Sequence, residues 1–307
     1  MTMRSQVDTR PALITAEEVR DIELVILKRM KELAAGVHTS VHHGSGFDFV
    51  GQRDWQPGDR LATVDWSQST LTNFSPMVTR EFEQQSTGRV VIVADTSLST
   101  RCGVDGVSIA SVIARAVATL GLAGAFFQDQ VGLITFDGRT LDLAVRPQVG
   151  RNHAIHCLES YQAHVLGDVP STDERVDTPL AGLLRRTALV PVVSDFLFDG
   201  TDTLLDELAE LNHAHDVFLV MVDSAFAFDL PPSSAGWIEG YDVETGRTRM
   251  ISTIELERLG EHIQEWQDEV ARTAREAGLQ VLRIGRDEQH FHDQLVEFFH
   301  GRRRHNR

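Results

Sequence analysis

Short apolar runs alternate with longer amphipathic segments from residue 89 to the end of the chain. The runs are rich in β-branched residues and bounded by polar ones, which is typical of buried parallel strands. The predicted strands span residues 89–95, 131–136, 189–195, 217–222 and 280–284. The predicted helices span residues 107–128, 152–165, 178–187, 203–213, 253–277 and 290–300. This alternation predicts an α/β fold with a doubly wound, mostly parallel sheet and right-handed crossovers.

Two hairpins interrupt this alternation. Asp137-Gly138 is a turn signal between the strand at 131–136 and a further strand at 141–147. The second hairpin, at 237–251, has its turn at Glu244-Thr245-Gly246 and leads into the helix at 253–277. Dipeptides such as Asp-Gly permit the backbone angles of tight hairpin turns, so both segments are expected to be antiparallel pairs.

The chain before residue 87 has a different pattern. A helix is predicted at 16–35, where apolar residues recur at helical spacing behind a capping start at Thr15. Residues 47–82 are irregular and punctuated by aromatic residues, with a short strand expected at 77–83. The sequence therefore predicts an N-terminal helix and irregular lead-in over 1–86 and an α/β domain over 87–307.

Acidic and basic residues alternate among the tryptophans of the lead-in. They are Asp48, Asp54, Asp59, Asp65 and Glu81 with Arg53, Arg60 and Arg80, around Trp55 and Trp66. One interpretation is a surface that docks a partner or covers the edge of the sheet. The other is a second small core, in which the tryptophans are buried and the arginines pair with carboxylates. We favour burial for the tryptophans and leave the role of the charges open.

Composition and charge limit which ligands the protein is expected to bind and in which compartment it is expected to act. The net charge of −16 argues against a nucleic-acid-binding protein, and the basic cluster Arg302-Arg303-Arg304 is expected to be a solvated helix end. Cys102 and Cys157 have no CxxC spacing, which fits a reducing compartment. The longest apolar stretch, 107–127, is broken by Arg115 and is expected to be a buried helix. With no signal peptide evident, we expect a cytoplasmic protein without a membrane span.

The strand at 89–95 ends in side chains that bear oxygen. Asp95, Ser97 and Ser99 follow the apolar run, Asp195 ends another strand, and Thr178 precedes the helix-starting Pro179. Ligands bind beyond the carboxyl ends of such strands. If the two strands are neighbours, two carboxylates and three hydroxyls suit Mg²⁺, with Mn²⁺ or Ca²⁺ as alternatives. The simpler alternative for the 95–99 segment is a strand followed by a serine-rich helix cap.

The same residues resemble a known site. Asp-x-Ser-x-Ser after the first strand, then a Thr and a later Asp, resemble the metal-ion-dependent adhesion site of von Willebrand factor A domains. Four segments upstream resemble the lead-in of the bacterial domain-of-unknown-function family fifty-eight (DUF58). They are Gly44-Ser45-Gly46-Phe47-Asp48-Phe49, Gln56-Pro57-Gly58-Asp59, Val64-Asp65-Trp66 and Thr79-Arg80-Glu81-Phe82. The resemblance extends from about residue 35 to the C-terminal helix.

The resemblance implies a binding role. In von Willebrand factor A domains the cation keeps an open position that a carboxylate of the partner completes. Carried over, Ser97, Ser99 and Thr178 resemble direct ligands, whereas Asp95 and Asp195 resemble ligands that act through water or orient the hydroxyls. Ser194-Asp195-Phe196 differs from the Asp-Gly of many adhesion sites.

The family also suggests a partner. Its members are often encoded beside MoxR-type AAA+ ATPases, so a metal-dependent protein-binding module that works with such an ATPase in assembly or maturation of other proteins is expected. Many relatives carry two membrane helices near the N-terminus, which this chain lacks, so the resemblance is to a soluble branch.

A magnesium-dependent phosphoryl-transfer hydrolase is the alternative, because an aspartate at a strand tip can act as a nucleophile beside a metal. Haloacid-dehalogenase-like phosphatases have a second aspartate two residues later, where this chain has Ser97. The only lysines, Lys28 and Lys31, lie on the N-terminal helix, and neither GxxxxGK[ST] nor a GxGxxG after the first strand is present. The sequence contains no complete catalytic constellation, so no enzymatic activity is predicted.

Overall fold

A mostly parallel six-stranded sheet flanked by helices lies at the centre of this mixed α/β protein. The computed structural model describes residues 12–36, 48–56, 64–83, 88–137, 140–166, 180–228, 236–241, 248–286 and 288–305. The chain divides into two units, one of Met1–Glu32 with Gly88–Arg307 and one of Leu33–Thr87. The alternating pattern of the sequence thus predicts the α/β architecture correctly.

The strands are β1 (Asp48–Asp54), β2 (Val78–Glu83), β3 (Arg89–Asp95), β4 (Gly103–Val104), β5 (Val107–Ser108), β6 (Gln130–Asp137), β7 (Thr140–Val149), β8 (Leu189–Ser194), β9 (Asp216–Val222), β10 (Trp237–Tyr241), β11 (Thr248–Ser252) and β12 (Gln280–Ile284). The helices are α1 (Ala16–Gly36), α2 (Trp66–Leu71), α3 (Ile109–Phe126), α4 (Arg151–Leu166), α5 (Leu180–Leu183), α6 (Thr201–Leu211), α7 (Thr253–Glu276) and α8 (Glu288–His305). Short 3-10 helices span Leu98–Arg101 and Ala225–Phe228.

The order of the strands in the central sheet is β12-β9-β8-β3-β6-β7. All neighbouring pairs are parallel except β6 and β7, which form the expected antiparallel hairpin. Strands β3 and β8 are therefore adjacent at the centre, and their carboxyl ends lie at one edge of the sheet. This adjacency, which the sequence left conditional, brings the candidate residues after both strands together.

Apolar side chains on the two faces of the sheet pack against different helices. On one face, Val91 and Val192 join a core cluster with Leu208 of α6 and Val270 of α7. Elsewhere α3 packs against β3, α4 and α8. Among the described residues α3 is one helix whose length and composition would suit a membrane span, and 89% of it is buried inside the fold. Its apolar surface is thus covered by protein.

The smaller unit contains an antiparallel pair, β1 with β2, and the short helix α2. The strand β1 lies in a segment that the sequence pattern treats as irregular, because Gly51 and a register shift interrupt its alternation. Asp65 caps α2 by accepting hydrogen bonds from the N–H groups of Ser67 (3.1 Å) and Gln68 (3.2 Å). The predicted burial of Trp66 is wrong: it is 56% exposed, because the first turn of α2 directs it outward.

The basic end of α8 differs from the predicted solvated cluster. The guanidinium group of Arg302 lies over the rings of Phe218 (5.2 Å) and Phe298 (5.6 Å) and pairs with Asp216. Arg302 therefore packs its side chain against the amino end of β9 instead of extending into water.

Candidate functional site

Asp95 and Asp195 lie beside each other at the carboxyl edge of the sheet. The parallel register of β3 and β8 pairs Ala94 with Val193, so the next residue of each strand, Asp95 and Ser194, lies side by side, and Asp195 follows. Both carboxyl groups are completely buried. The fold thus buries two acidic side chains, and removing each carboxylate from water costs free energy that an apolar side chain would not cost.

Hydrogen bonds fix both oxygens of Asp95. Its Oδ1 accepts the N–H of Ser97 (2.7 Å), and its Oδ2 accepts the hydroxyl of Ser194. The Oγ of Ser194 in turn accepts the N–H of Phe196 (2.8 Å), which joins the loops after the two strands. Asp95 therefore organises the site from within the sheet.

The serine hydroxyls connect this aspartate to the other one. The Oγ atoms of Ser97 and Ser99 lie 3.0 Å apart, and the hydroxyl of Ser99 donates to Oδ1 of Asp195 (3.3 Å). The hydroxyl of Thr100 donates to the carbonyl of Ser97 (2.7 Å) and so holds the turn. Four of the five predicted residues, Asp95, Ser97, Ser99 and Asp195, are thereby brought together. Thr178, the fifth, lies outside the described residues.

One carboxylate oxygen of this group has no partner among the residues that the structure describes. Oδ1 of Asp195 accepts the N–H of Leu197 (3.1 Å) as well as the hydroxyl of Ser99, whereas Oδ2 is buried and accepts no hydrogen bond from any described residue. A buried acceptor without a donor costs about 1–3 kcal/mol, and more when it is charged. A positive group beside Oδ2 of Asp195 would offset this cost.

The electrostatics of the two carboxyl groups agree with this. Burial, and then the nearby charge of Asp195, raise the pKa of Asp95 to about 7. Burial also raises the pKa of Asp195 to about 6. Two like charges that share a desolvated space raise each other's free energy, which a divalent cation between oxygen ligands would reverse.

The donor set is unusual for a metal site because it depends on hydroxyl groups. Within the described ranges, no group of three or more His, Cys, Asp or Glu side chains could hold a metal ion. Two carboxylates and two serine hydroxyls are hard oxygen ligands, which suit Mg²⁺ and not a softer metal such as zinc. The residues present therefore fit a magnesium-type cation.

The loop after β8 is held in a strained conformation. Phe196 has φ 57°, a left-handed value that bulky residues rarely adopt. The indole N–H of Trp266 donates to the carbonyl of Phe196 (2.9 Å), and the amide of Gln267 donates to the carbonyl of Asp195 (2.8 Å). Helix α7 thus fixes the backbone of Asp195 and Phe196.

Sequence reasoning missed four residues that support the site: Ser194, Tyr161, Trp266 and Gln267. The sequence contained a signal for Ser194, because this polar residue lies on the same face of β8 as the core residues Val190 and Val192. Gln267 had a weaker one, as a polar residue in the apolar stripe of α7. Tyr161, whose hydroxyl donates to the carbonyl of Asp95 (3.0 Å), and Trp266 had none, since their contacts depend on how the helices dock.

Comparison with known proteins places the sequence in a wider group. The family described as "Protein of unknown function DUF58" matches residues 51–272. Uncharacterized proteins of Mycobacterium bovis and Mycobacterium tuberculosis are 25% identical over 310 residues, covering 98% of this chain and 93% of each relative. The similarity therefore extends along nearly the whole chain.

Three solved structures are similar over about two thirds of the chain. An aerotolerance-related membrane protein from Bacteroides fragilis has a TM-score of 0.41 at 13% identity, covering 70% of this chain and 97% of that one. The conserved hypothetical protein BatB from Bacteroides thetaiotaomicron has a TM-score of 0.38 at 16% identity, with coverages of 70% and 99%. An uncharacterized membrane spanning protein from Vibrio fischeri has a TM-score of 0.21 at 15% identity, with coverages of 71% and 98%.

These names correct two predictions from the sequence. Two of the three similar structures are named as membrane proteins, which contradicts both the cytoplasmic location and the absence of a membrane span. The inference was too strong for a physical reason. A count of apolar residues finds a spanning helix within the stretch counted, but it does not exclude attachment to a membrane by other means. No cytoplasmic location is assigned to the protein.

Proposed function

The chain belongs to the DUF58 family, whose function is unknown, and we propose that it is a metal-dependent protein-binding module. In this proposal the larger unit has a von Willebrand factor A-like fold. It works with a MoxR-type AAA+ ATPase in the assembly or maturation of other proteins. The observation that carries the cation site is the buried Oδ2 of Asp195, which has no hydrogen-bond partner in the described part of the chain and lies beside a second buried carboxyl group.

The residues that would hold the cation are Asp195, Ser97 and Ser99, with Asp95 orienting them. Asp95 is suited to orienting, because the N–H of Ser97 and the hydroxyl of Ser194 already occupy its two oxygens. A divalent cation would supply a positive, Lewis-acidic point to which a carboxylate of a partner protein can attach. The chain's own contribution is a rigid set of oxygens at an edge of the sheet.

The proposed fold type rests on topology and on the position of the site. The first strand of the larger unit, β3, is central, β7 is an antiparallel edge strand, and the candidate ligands follow the carboxyl ends of β3 and β8. These features agree with the Asp-x-Ser-x-Ser resemblance found in the sequence. The partnership with an ATPase rests on the resemblance of the lead-in alone.

The hydrolase alternative is less well supported. A nucleophilic aspartate needs an oxygen that substrate can reach. Asp95 is completely buried, and both of its oxygens accept hydrogen bonds from within the protein. No described contact of Asp95 favours phosphoryl transfer over the binding role.

Titration calorimetry with MgCl₂ and MnCl₂ tests the cation site. The double variant Ser97→Ala and Ser99→Ala is expected to lose binding at least tenfold while its circular dichroism stays unchanged, because neither hydroxyl fills the core. Ser160→Ala is the matched control, since that hydroxyl donates to the carbonyl of His156 within α4 and not to a candidate ligand. Equal binding heats in the double variant and the wild type would exclude these serines as ligands.

The partner needs a separate experiment. A purified MoxR-type ATPase from the same organism should be retained by the immobilised protein in Mg²⁺ and released by EDTA. Retention that chelator does not change would separate partner choice from the cation, and no retention in either buffer would refute the partnership.

A further inference from the structure

Helix α7 is longer than the sheet on which it packs. Its 24 residues span about 36 Å, whereas the six residues of β8 span about 20 Å. The amide of Gln267 donates to the carbonyl of Val222, the last residue of β9, so this point of the helix lies level with the carboxyl edge of the sheet. The residues of α7 that join the core cluster of the sheet, such as Val270 and Ala274, follow Gln267, and among the α7 residues before Gln267 only Ile263 is buried. Residues 253–265 therefore extend beyond the edge.

A hairpin stands at the start of this extension. Among the described strands, β10 and β11 pair with each other and with no third strand, and β11 leads directly into α7. We call β10, β11 and residues 253–265 of α7 the projecting arm. The arm is built next to the candidate site, because the residue that follows it, Trp266, donates to the carbonyl of Phe196.

The projecting arm exposes large apolar side chains. Trp237 and Ile254 are each 60% exposed and Met250 is 58% exposed. Trp237 and Met250 share a face of the hairpin, because Trp237 pairs with Ser252 and Glu239 with Met250. Leu259 is also exposed, seven residues before the partly exposed Trp266 and therefore on the same side of the helix. Large apolar side chains that stay exposed on an extension of a fold favour an interaction surface.

The charges around these residues have one dominant sign. Residues 253–265 contain four glutamates and a single arginine. Glu257, Glu261 and Glu265 follow Ile254 at intervals of three or four residues, so they form one exposed stripe with it. The surface is therefore apolar and acidic at once, and its complement is apolar and basic.

We propose that the projecting arm docks a protein segment that carries lysine or arginine residues beside large apolar ones, such as a basic amphipathic helix. Charge complementarity selects this occupant. A second copy of the chain would bring the same glutamates and a net charge of −16, and an anionic membrane surface would repel the acidic stripe. The proposal goes beyond the cation site and does not require a bound cation.

Fluorescence anisotropy tests the proposal with a labelled synthetic peptide of 18 residues. The peptide carries leucine and tryptophan on one helical face and lysine on the other, and its counterpart carries glutamate in place of lysine. The full-length protein, in EDTA, is expected to bind the basic peptide at least tenfold more tightly than the acidic one. The variant Met250→Gln with Ile254→Gln should weaken binding of the basic peptide at least tenfold. The variant Glu257→Lys with Glu261→Lys should reverse the preference between the peptides.

Leu71→Gln is the matched control, because Leu71 is 78% exposed but belongs to the other unit. All variants change exposed side chains, and an unchanged melting temperature confirms that they fold. The proposal is overturned if the wild type binds both peptides equally or neither, or if arm variants bind like the control. It is also overturned if the arm variants instead lose binding to phosphatidylglycerol vesicles, or lose a dimer seen by sedimentation, since the occupant is then a membrane or a second copy.

Discussion

Replacing Asp195 by asparagine is expected to make the cation-free protein more stable. The asparagine carbonyl can accept the same hydrogen bonds as Oδ1, from Leu197 and Ser99. The change replaces the unpartnered Oδ2 with a neutral amide group and removes one of two buried negative charges. A substitution at a buried polar residue normally destabilises, so a gain would identify a group kept for a purpose other than folding.

The size of the gain follows from the electrostatics. Burial raises the pKa of Asp195 from 3.8 to about 6, and a tenfold change in proton affinity is about 1.4 kcal/mol, so the ionised group costs the folded state about 3 kcal/mol. Where the N–H groups of the buried asparagine amide lack acceptors, they cost about 1–3 kcal/mol and reduce this gain. The loss of the like charge beside Asp95 adds to the gain. We expect a net gain of about 1–2 kcal/mol, or roughly 2–4 °C in melting temperature.

The gain should depend on pH with a definite sign. Because the pKa of Asp195 is higher in the folded than in the unfolded chain, the folded state holds more protons between about pH 4 and pH 6. The unfolding free energy of the wild type, relative to that of the variant, is therefore highest at low pH and falls as the pH rises through this window. Urea denaturation in EDTA from pH 4 to pH 8 measures the difference, and Asp206→Asn, an exposed position on α6, is the control.

Mg²⁺ should reverse the order of stability of the wild type and the Asp195→Asn variant. At a cation concentration about 100 times the dissociation constant, the wild type gains about 2.7 kcal/mol, whereas the Asp195→Asn variant gains little. A variant less stable than the wild type in EDTA at pH 8 would refute the electrostatic reasoning. An equal stabilisation of both proteins by Mg²⁺ would remove Asp195 from the ligand set.

Two further predictions concern residues that lie outside the ligand set. Gln267→Leu should lower the unfolding free energy by about 2–4 kcal/mol in urea, because the amide of Gln267 donates to the carbonyls of Asp195 and Val222; a loss below 0.5 kcal/mol would contradict this role. Burial, and then the charge of Arg115, lower the pKa of His292 from 6.5 to about 4. The neutral imidazole therefore contributes stability that is fully present above pH 6.5 and is lost as the pH falls toward 4. The loss should reach about 3 kcal/mol and be absent in His292→Asn, and identical pH profiles of the two proteins would exclude His292 as the cause.

The four inner strands of the sheet, β3, β6, β8 and β9, could be predicted from the sequence because they are buried on both faces. Such strands appear as continuous apolar runs, and the residues that end them identify the carboxyl edge without any knowledge of the helices. Asp95, Ser97, Ser99 and Asp195 were found in this way. The prediction needed only that β3 and β8 be neighbours, which the sheet order confirms.

The parts that were missed depend on docking and not on local pattern. The strand β1 is short, contains a glycine and pairs with a strand 24 residues further along, so its alternation is weak. Trp66, the first residue of α2 after the cap at Asp65, is exposed although the size of its side chain favours burial. The contacts of Trp266 with the loop after β8 depend on the rotation of α7, which no spacing in the sequence specifies.

Several unfavourable features of the larger unit lie in four consecutive residues, Ser194–Leu197. Asp195 carries a buried oxygen without a partner, its charge lies beside that of Asp95, and Phe196 adopts a left-handed backbone. Each of these costs of the order of 1–3 kcal/mol, and each could be removed by one substitution that leaves the sheet intact. The strands themselves, by contrast, bury apolar residues in ordinary conformations. Sequences depart from local rules where a group is held ready for a ligand or a partner. In the proposed function, the ligand at Asp195 is a divalent cation.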